Sequence, residues 1–210
     1  MAKRLTELEK LDIICVVDRK LWRFGKVVLG MDEAGRGPLA GPVVAAAVVM
    51  PKDDLILGIN DSKKIVEKKR ERLYSEIQKK AIAIGVGIVD NTVIDDVNIL
   101  NATRMVFKAA FEQINVKVDA VISDYITGLD IGEYTAIKKG DSKSYTIACA
   151  SIVAKVTRDS IMKAYDDEYR GYNFSQHKGY GTKKHYAAIE KLGISEIHRK
   201  TFLKNINNYE

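Results

Sequence analysis

Two short apolar runs joined by a glycine-rich connection constrain this chain more than any other feature. Residues 26–32 (KVVLGMD) and 41–50 (GPVVAAAVVM) are rich in Val and Ala, show no polar alternation, and are bounded by Gly and Pro. Strands of this kind are buried on both faces, so the sheet they start must be covered by helices on each side. The connection at 35–41 predicts that the two runs pair as a hairpin.

The rest of the chain supplies both kinds of element. Leu5, Leu8, Leu11, Ile14, Cys15, Leu21 and Phe24 recur at mostly three-residue spacing, which predicts an amphipathic helix over 5–24 leading into the sheet. A helix rich in Lys, Arg and Glu is predicted over 66–80 and a third strand over 81–89. One or two helices follow over 91–115, then a fourth strand at 118–123, a short fifth strand at 134–138 and a long helix over 144–169. Helices dominate beyond that point. An opening hairpin, later strands arriving after helices, and a helical C-terminal third predict an α/β fold with a mixed sheet flanked by helices. The pattern alone does not choose among the three-layer folds of this kind.

At 210 residues and 46% hydrophobic composition, the chain suits one compact domain with a tail. Lys and Arg outnumber Asp and Glu by 34 to 28, a net charge of +6 that suits a polyanionic partner without requiring one. Cys15 and Cys149 form no Cys-x-x-Cys pair and are expected to be reduced, buried thiols. Charges interrupt the first ten residues where a secretory signal needs an apolar core. The longest apolar run, 43–50, falls far short of the ~20 residues that span a bilayer. A soluble cytoplasmic protein that makes no use of a membrane is the expectation.

Asp32 and Glu33 stand at the end of the first buried run. Adjacent carboxylates beside a core repel one another and lose hydration, so burying them there calls for a cation. Convergence on one site would require the strand to bend after Asp32, which Gly35 and Gly37 permit. The dipeptide by itself equally fits an acidic turn leaving a strand into solvent. Asp124 alters that balance because it too ends an apolar strand, and Asp141 adds a carboxylate at the entrance to the long helix. Oxygen ligands few in number suit Mg²⁺ or Mn²⁺ rather than zinc. His177, His185 and His198 are scattered in a polar basic region and are expected at the surface or against a duplex. Two cations bridging a phosphodiester would support its hydrolysis without a covalent enzyme intermediate.

The run 30–49 (GMDEAGRGPLAGPVVAAAVV) resembles the signature opening of the bacterial type 2 ribonuclease H family, ribonuclease HII. Three further blocks follow in the family's order: 61–64 (DSKK), then 139–144 (KGDSKS) with 150–159 (ASIVAKVTRD), then 177–182 (HKGYGT). The resemblance spans roughly residues 20–202. It implies a ribonuclease H-like fold with a helical C-terminal part, and an endonuclease whose catalytic, metal-binding carboxylates are Asp32, Glu33, Asp124 and Asp141. It also implies cleavage of the RNA strand of RNA-DNA hybrids and on the 5′ side of ribonucleotides embedded in duplex DNA, leaving a 3′-hydroxyl and a 5′-phosphate. A monomer is expected. The organisation that follows is an N-terminal helical extension over 1–25, a catalytic domain with C-terminal helices over 26–203, and a polar tail over 204–210. The related type HIII enzymes carry an extra N-terminal domain with no counterpart here, so HII is the expectation. One departure stands out: the family usually has Gly after the third acidic residue, where this chain has Tyr125, so the turn beyond Asp124 is shaped differently.

Substrate contacts are expected from Gly35, Arg36, Gly37, Lys63, Lys143, Ser144, Lys178 and Tyr180. Gly35-Arg36-Gly37 lets backbone N–H groups approach a ribose 2′-hydroxyl, the group that separates RNA from DNA, although a plain glycine turn accounts for the same residues. Tyr180 alone would be a surface or core tyrosine, and the resemblance makes it a stacking residue. The lysines, with Lys64, Lys183 and Lys184, suit phosphates. The mixed-sign run 67–72 suits an exposed helix face with i, i+4 pairs. Asp159 has Lys155 and Lys163 at i−4 and i+4, the spacing of an ion-paired helix face, so the fourth site carboxylate is expected to be Asp141. A non-catalytic nucleic-acid-binding module and a DNA-directed nuclease or resolvase on the same fold are the competing readings.

Overall fold

The computed structural model describes residues 5–203; the expected tail at 204–210 lies outside them. Val28–Ala34 (β1) and Val43–Val49 (β2) form the expected antiparallel pair, with Asp32 opposite Ala46. Ala83–Val89 (β3) pairs antiparallel with β2, Ala120–Asp124 (β4) parallel with β1, and Thr135–Ile137 (β5) parallel with β4. The result is one mixed sheet in the order β3-β2-β1-β4-β5.

Every residue of β2 is buried, and its alternation divides the interior in two. Ala46 and Val48 join an apolar cluster with Tyr145–Glu168 (the long helix, α5), whereas Val43, Ala45, Ala47 and Val49 join another with Asn91–Phe111 (α4). The first half of α5 is buried all round because Glu67–Lys80 (α3) and the N-terminal helices close its outer side. Helix and sheet approach closely at Gly30, where a Cβ would lie 2.5 Å from the Thr146 carbonyl carbon. Among the described residues, no helix is long and apolar enough to cross a membrane.

Several local expectations are corrected. The helix predicted over 5–24 is two, Glu7–Ile14 (α1) and Val16–Trp22 (α2), parted at Cys15. Both contribute to the main core through Leu11, Ile14, Cys15 and Trp22. Asp18 of α2 is fully buried and accepts bonds from Tyr145 N (2.8 Å), Thr146 N (3.0 Å), Ser144 Oγ (3.1 Å) and Thr146 Oγ1, so this segment caps the long helix. The one or two helices expected over 91–115 are a helix kinked at Asn98 (φ 67°), as expected, and the Asn98 side chain caps the second half through Leu100 N and Asn101 N. Arg70 is not part of an exposed face: it is buried and bonds Ser62 O, Ile65 O and Asp159. The C-terminal part, with short helices Phe174–His177 (α6) and Lys183–Leu192 (α7), packs a third cluster around Phe174 and Met162.

Candidate active site

The parallel register brings the acidic strand ends together. Met31 lies beside Ser123, so the next residues along, Asp32 and Asp124, share one rim of the sheet. Asp32 is 4% exposed, and its Oδ1 accepts from Glu33 N (2.8 Å). Ladder pairing continues through Glu33 to Ala34 opposite Val44, and Glu33 still acts on the Asp32 carboxyl and is acted on by Asp124. Glu33 also pairs with Arg36, at 3.3 Å. Asp124 Oδ1 accepts from Gly140 N at 2.7 Å, which ties the end of β4 to the 3-10 turn Gly140–Ser142 carrying Asp141.

Electrostatics mark this rim as short of positive charge. Burial, then Glu33 and Asp124, push the Asp32 carboxyl well above the usual range. Burial likewise raises Glu33, aided by Asp124 and opposed by Arg36. Asp141, 6% exposed, is raised by burial and then by Asp61 and Asp124, with Lys63 opposing. Lys63 answers from the other side: burial works against its charge, but Asp32, Asp141, Asp61 and Asp124 outweigh it and raise the ammonium. Asp61 is thus a fifth carboxylate of the rim. Its only sequence signal is its place at the head of the 61–64 block, since nothing in the chain pattern links it to Asp141.

The donors are all oxygens, as a hard divalent cation requires. Among the described residues, no group of three or more Asp, Glu, His or Cys side chains is arranged to hold a metal ion.

Two clefts flank the rim. One, of about 230 Å³, is lined by Glu33, Gly35, Arg36, Gly37, Lys63 and Tyr180. Its wall is the connection between β1 and β2, held from beneath by two buried guanidiniums. Arg158 donates to Pro42 O (2.9 Å) and Ala40 O (3.1 Å), and Arg199 to Gly35 O (2.6 Å), Arg36 O (3.0 Å) and Gly41 O (2.8 Å). Gly35 has φ +99°, and a Cβ there would meet Arg158 Nε at 2.1 Å, so both the backbone and the clamp require glycine. The Tyr180 ring is 42% exposed, with the Lys155 ammonium and the Arg158 guanidinium each 5.8 Å from its centroid. The other cleft, of about 590 Å³, lies on the Asp124 side and is lined by Asp61, Asp124, Asp141, Lys63, Lys138 and Tyr125.

Two expected substrate contacts are located elsewhere. Ser144 is fully buried, bonding Asp18 and capping α5 through Ile147 N. Lys178 has a left-handed backbone (φ 52°) and is buried, and its ammonium donates to Ser175 O and lies 3.7 Å from Glu67. Lys143 is exposed just after the Asp141 turn.

The histidines, expected at the surface or on a duplex, are buried and packed against Phe174. The bonds of His198 and His185 fix both tautomers in a chain. Ser195 N donates to His198 Nδ1 (2.9 Å), so His198 Nε2 carries the proton and donates to His185 Nε2 (3.1 Å). His185 Nδ1 then donates to Tyr180 O at 3.0 Å. The relay holds the main chain of Tyr180 and works only with neutral rings. Burial lowers His185 and His198 to about 4 from an ordinary 6.5. A folded-state value below the unfolded one means that the unfolded chain binds more protons between these limits. Stability from the relay is therefore complete above pH 6.5 and is lost as pH falls through about 4. Melting temperature should drop across that window in the parent protein. His185→Asn keeps a donor for Tyr180 O without a titrating ring and should show a shallower drop. An equally steep profile in the variant would remove the His185 imidazole as its cause.

The comparisons with known proteins agree with this architecture. The ribonuclease HII family model matches residues 29–205. Ribonuclease HII of Clostridioides difficile is 52% identical over 98% of this chain and 83% of its own length, and that of Caldicellulosiruptor bescii is 50% identical over 90% of this chain and 93% of its own. Among solved structures, ribonuclease H2 from Pyrococcus horikoshii superposes with a TM-score of 0.71 at 24% identity, covering 86% of this chain and 97% of the other. The RNase HII in a PCNA complex from Archaeoglobus fulgidus gives 0.69 at 25% identity, covering 82% and 93%. The sheet order, the acidic rim and these likenesses define a nuclease of the ribonuclease H-like fold. The chain belongs to the ribonuclease HII family and is a ribonuclease H enzyme, an endonuclease.

Proposed function

We propose that the protein hydrolyses the RNA strand of RNA-DNA hybrids and cuts on the 5′ side of ribonucleotides embedded in duplex DNA, leaving a 3′-hydroxyl and a 5′-phosphate. The observation that carries this reading is an oxygen-only acidic rim directly beside a glycine-lined cleft. Asp32, Glu33, Asp124 and Asp141 would hold Mg²⁺ or Mn²⁺, and a structure of Bst-RNase HIII, similar in fold (TM-score 0.61 at 16% identity, covering 96% of this chain and 70% of that one), is a complex with Mn²⁺. Two such ions, when bound, polarise the scissile phosphate and offset charge on the attacking and leaving oxygens.

The chain's own groups supply position. Asp32 is held by Glu33 N and Asp124 by Gly140 N, so their free oxygens keep fixed directions. The connection at Gly35–Gly37, fixed through its carbonyls, lets the backbone approach a ribose 2′-hydroxyl without side-chain bulk. Tyr180 packs against the sugar of that nucleotide, and Lys63 and Lys143 face phosphates. Water adds across the P–O3′ bond: its oxygen bonds phosphorus, the bond to O3′ breaks, and a proton ends on O3′. A monomer acting in the cytoplasm is part of the same proposal.

Matched duplexes test it, one all-DNA and one with a single ribonucleotide. With Mg²⁺ or Mn²⁺, cleavage is expected only at the ribonucleotide, with 3′-hydroxyl ends, and none with excess chelator. Comparable cutting of the all-DNA duplex would make this a DNA-directed nuclease. Binding without cutting would make it a non-catalytic module.

A further inference from the structure

Tyr125 has no evident use in folding. Its ring is 54% exposed, and none of the three apolar clusters of described residues includes it. Yet its position is set by the sheet rather than by a loose loop. Asp124 of β4 pairs in register with Ile137 of β5, so Tyr125 and Lys138 are the next residues along on neighbouring strands. The Lys138 ammonium lies 5.1 Å from the Tyr125 ring centroid. On its other side, Asp124 is held by Gly140 N, which fixes the strand end from which the tyrosine departs.

The ring lines the larger cleft, together with Asp124, Asp141, Lys63 and Lys138. Lys63 also lines the smaller cleft, so one ammonium joins the two across the rim. Each cleft therefore presents one half-exposed tyrosine with a cation near its face: Tyr180 with Lys155 and Arg158, and Tyr125 with Lys138. The acidic rim lies between the two clefts, with Asp124 and Asp141 lining the larger and Glu33 the smaller.

We propose that Tyr125 and Lys138 form a second substrate subsite, a sugar-phosphate platform for the deoxynucleotides on the 5′ side of the cut. This rests on the function proposed above, in which the ribonucleotide is on the 3′ side, at Gly35–Gly37. In a paired duplex the base faces are occupied by their own stack, so the tyrosine ring meets a sugar and the ammonium a phosphate. Such contacts are made equally before and during the chemical step, so they act on KM and leave kcat unchanged.

The test uses the full chain and single-ribonucleotide duplexes whose 5′ or 3′ flank is shortened stepwise. For the parent protein, KM should rise about fivefold when the 5′ flank is cut back past the subsite. Tyr125→Ala should show most of that raised KM already on the full-length duplex, gain only a small further rise from 5′ shortening, and respond to 3′ shortening as the parent does. Tyr125→Phe keeps the ring face and should match the parent. Lys138→Ala, a second variant at an exposed residue, should lose 5′ sensitivity in part and show a shallower salt dependence of binding. Parental KM in Tyr125→Ala, undiminished 5′ sensitivity, or a fall in kcat alone would each overturn the subsite. Failure of the parent protein to cut at the ribonucleotide would instead overturn the underlying function, so the two failures are distinct.

Discussion

Asp32→Asn is expected to lower turnover by at least about a thousandfold while the metal-free protein melts no lower than the parent. The two effects have opposite origins. Asp32 is nearly enclosed, and its charge is opposed by burial, by Glu33 and by Asp124. Its folded-state value is raised, so the folded protein holds a proton more tightly than the unfolded chain, and the ionised group works against folding near neutral pH. Asn retains an oxygen for Glu33 N and removes that charge, which raises or maintains the melting temperature. It also removes a donor for the divalent cation, so the stabilisation that added Mg²⁺ or Mn²⁺ gives the parent should shrink. The sign of the pH dependence provides a second check. Destabilisation by ionised Asp32 sets in as pH rises from the ordinary carboxylate range through the raised folded value, so the metal-free parent should lose melting temperature over that climb more steeply than the variant. An unfolded or low-melting Asp32→Asn protein would make the residue structural.

The parts of this site that could be read from sequence are those fixed by strands. The runs that became β1, β2 and β4 are buried on both faces, so they lack alternation, have clear ends, and locate Asp32 and Asp124 at those ends. What escaped depends on contacts between distant loops. Asp61 meets Asp141 only through the tertiary fold. Polar neighbours such as Lys178 and Lys184 suggest exposure for His177 and His185, but the two rings stack on each other at 4.3 Å between centroids, beneath backbone turned by left-handed residues. Arg70 sits in a run of charges that resembles a solvated face, and its burial follows from Asp159 on a helix 89 residues away in sequence. Arg199 carries no local signal at all, since its partners are carbonyl groups of a loop near the start of the domain. Charge and polarity are poor guides to burial wherever a distant backbone or carboxylate supplies the partner.

Asp141 and Asp159 are the two acidic residues most easily confused from sequence, and their variants should behave in opposite ways. Asp141 is in a 3-10 turn whose Gly140 N bonds Asp124, and it is raised by burial and then by Asp61 and Asp124. Asp159 lies in α5 eight residues beyond Ser151, the helix residue whose side chain lies near the Asp32 carboxyl, about 12 Å along the axis at 1.5 Å per residue and too far to share a cation with Asp32. Its oxygens already have cations: Lys155 at 2.6 Å, as its spacing predicts, and Arg70 at 3.3 Å, while Lys163 pairs with Glu67 and Glu71 instead. Asp141→Asn should therefore remove nearly all metal-dependent cleavage and leave melting unchanged or higher, because one repelling charge is gone. Asp159→Asn leaves Lys155 and Arg70 buried without a counter-charge, at a cost of about 3 kcal/mol. For a domain of this size that lowers the melting temperature by on the order of 10 °C. Below its melting point the Asp159 variant should retain most of its turnover, with part of the loss falling on KM through Lys155, whose ammonium is 5.8 Å from the Tyr180 ring. Cleavage and melting measured together decide the assignment: a stable, inactive Asp159→Asn beside a nearly normal Asp141→Asn would exchange the two roles.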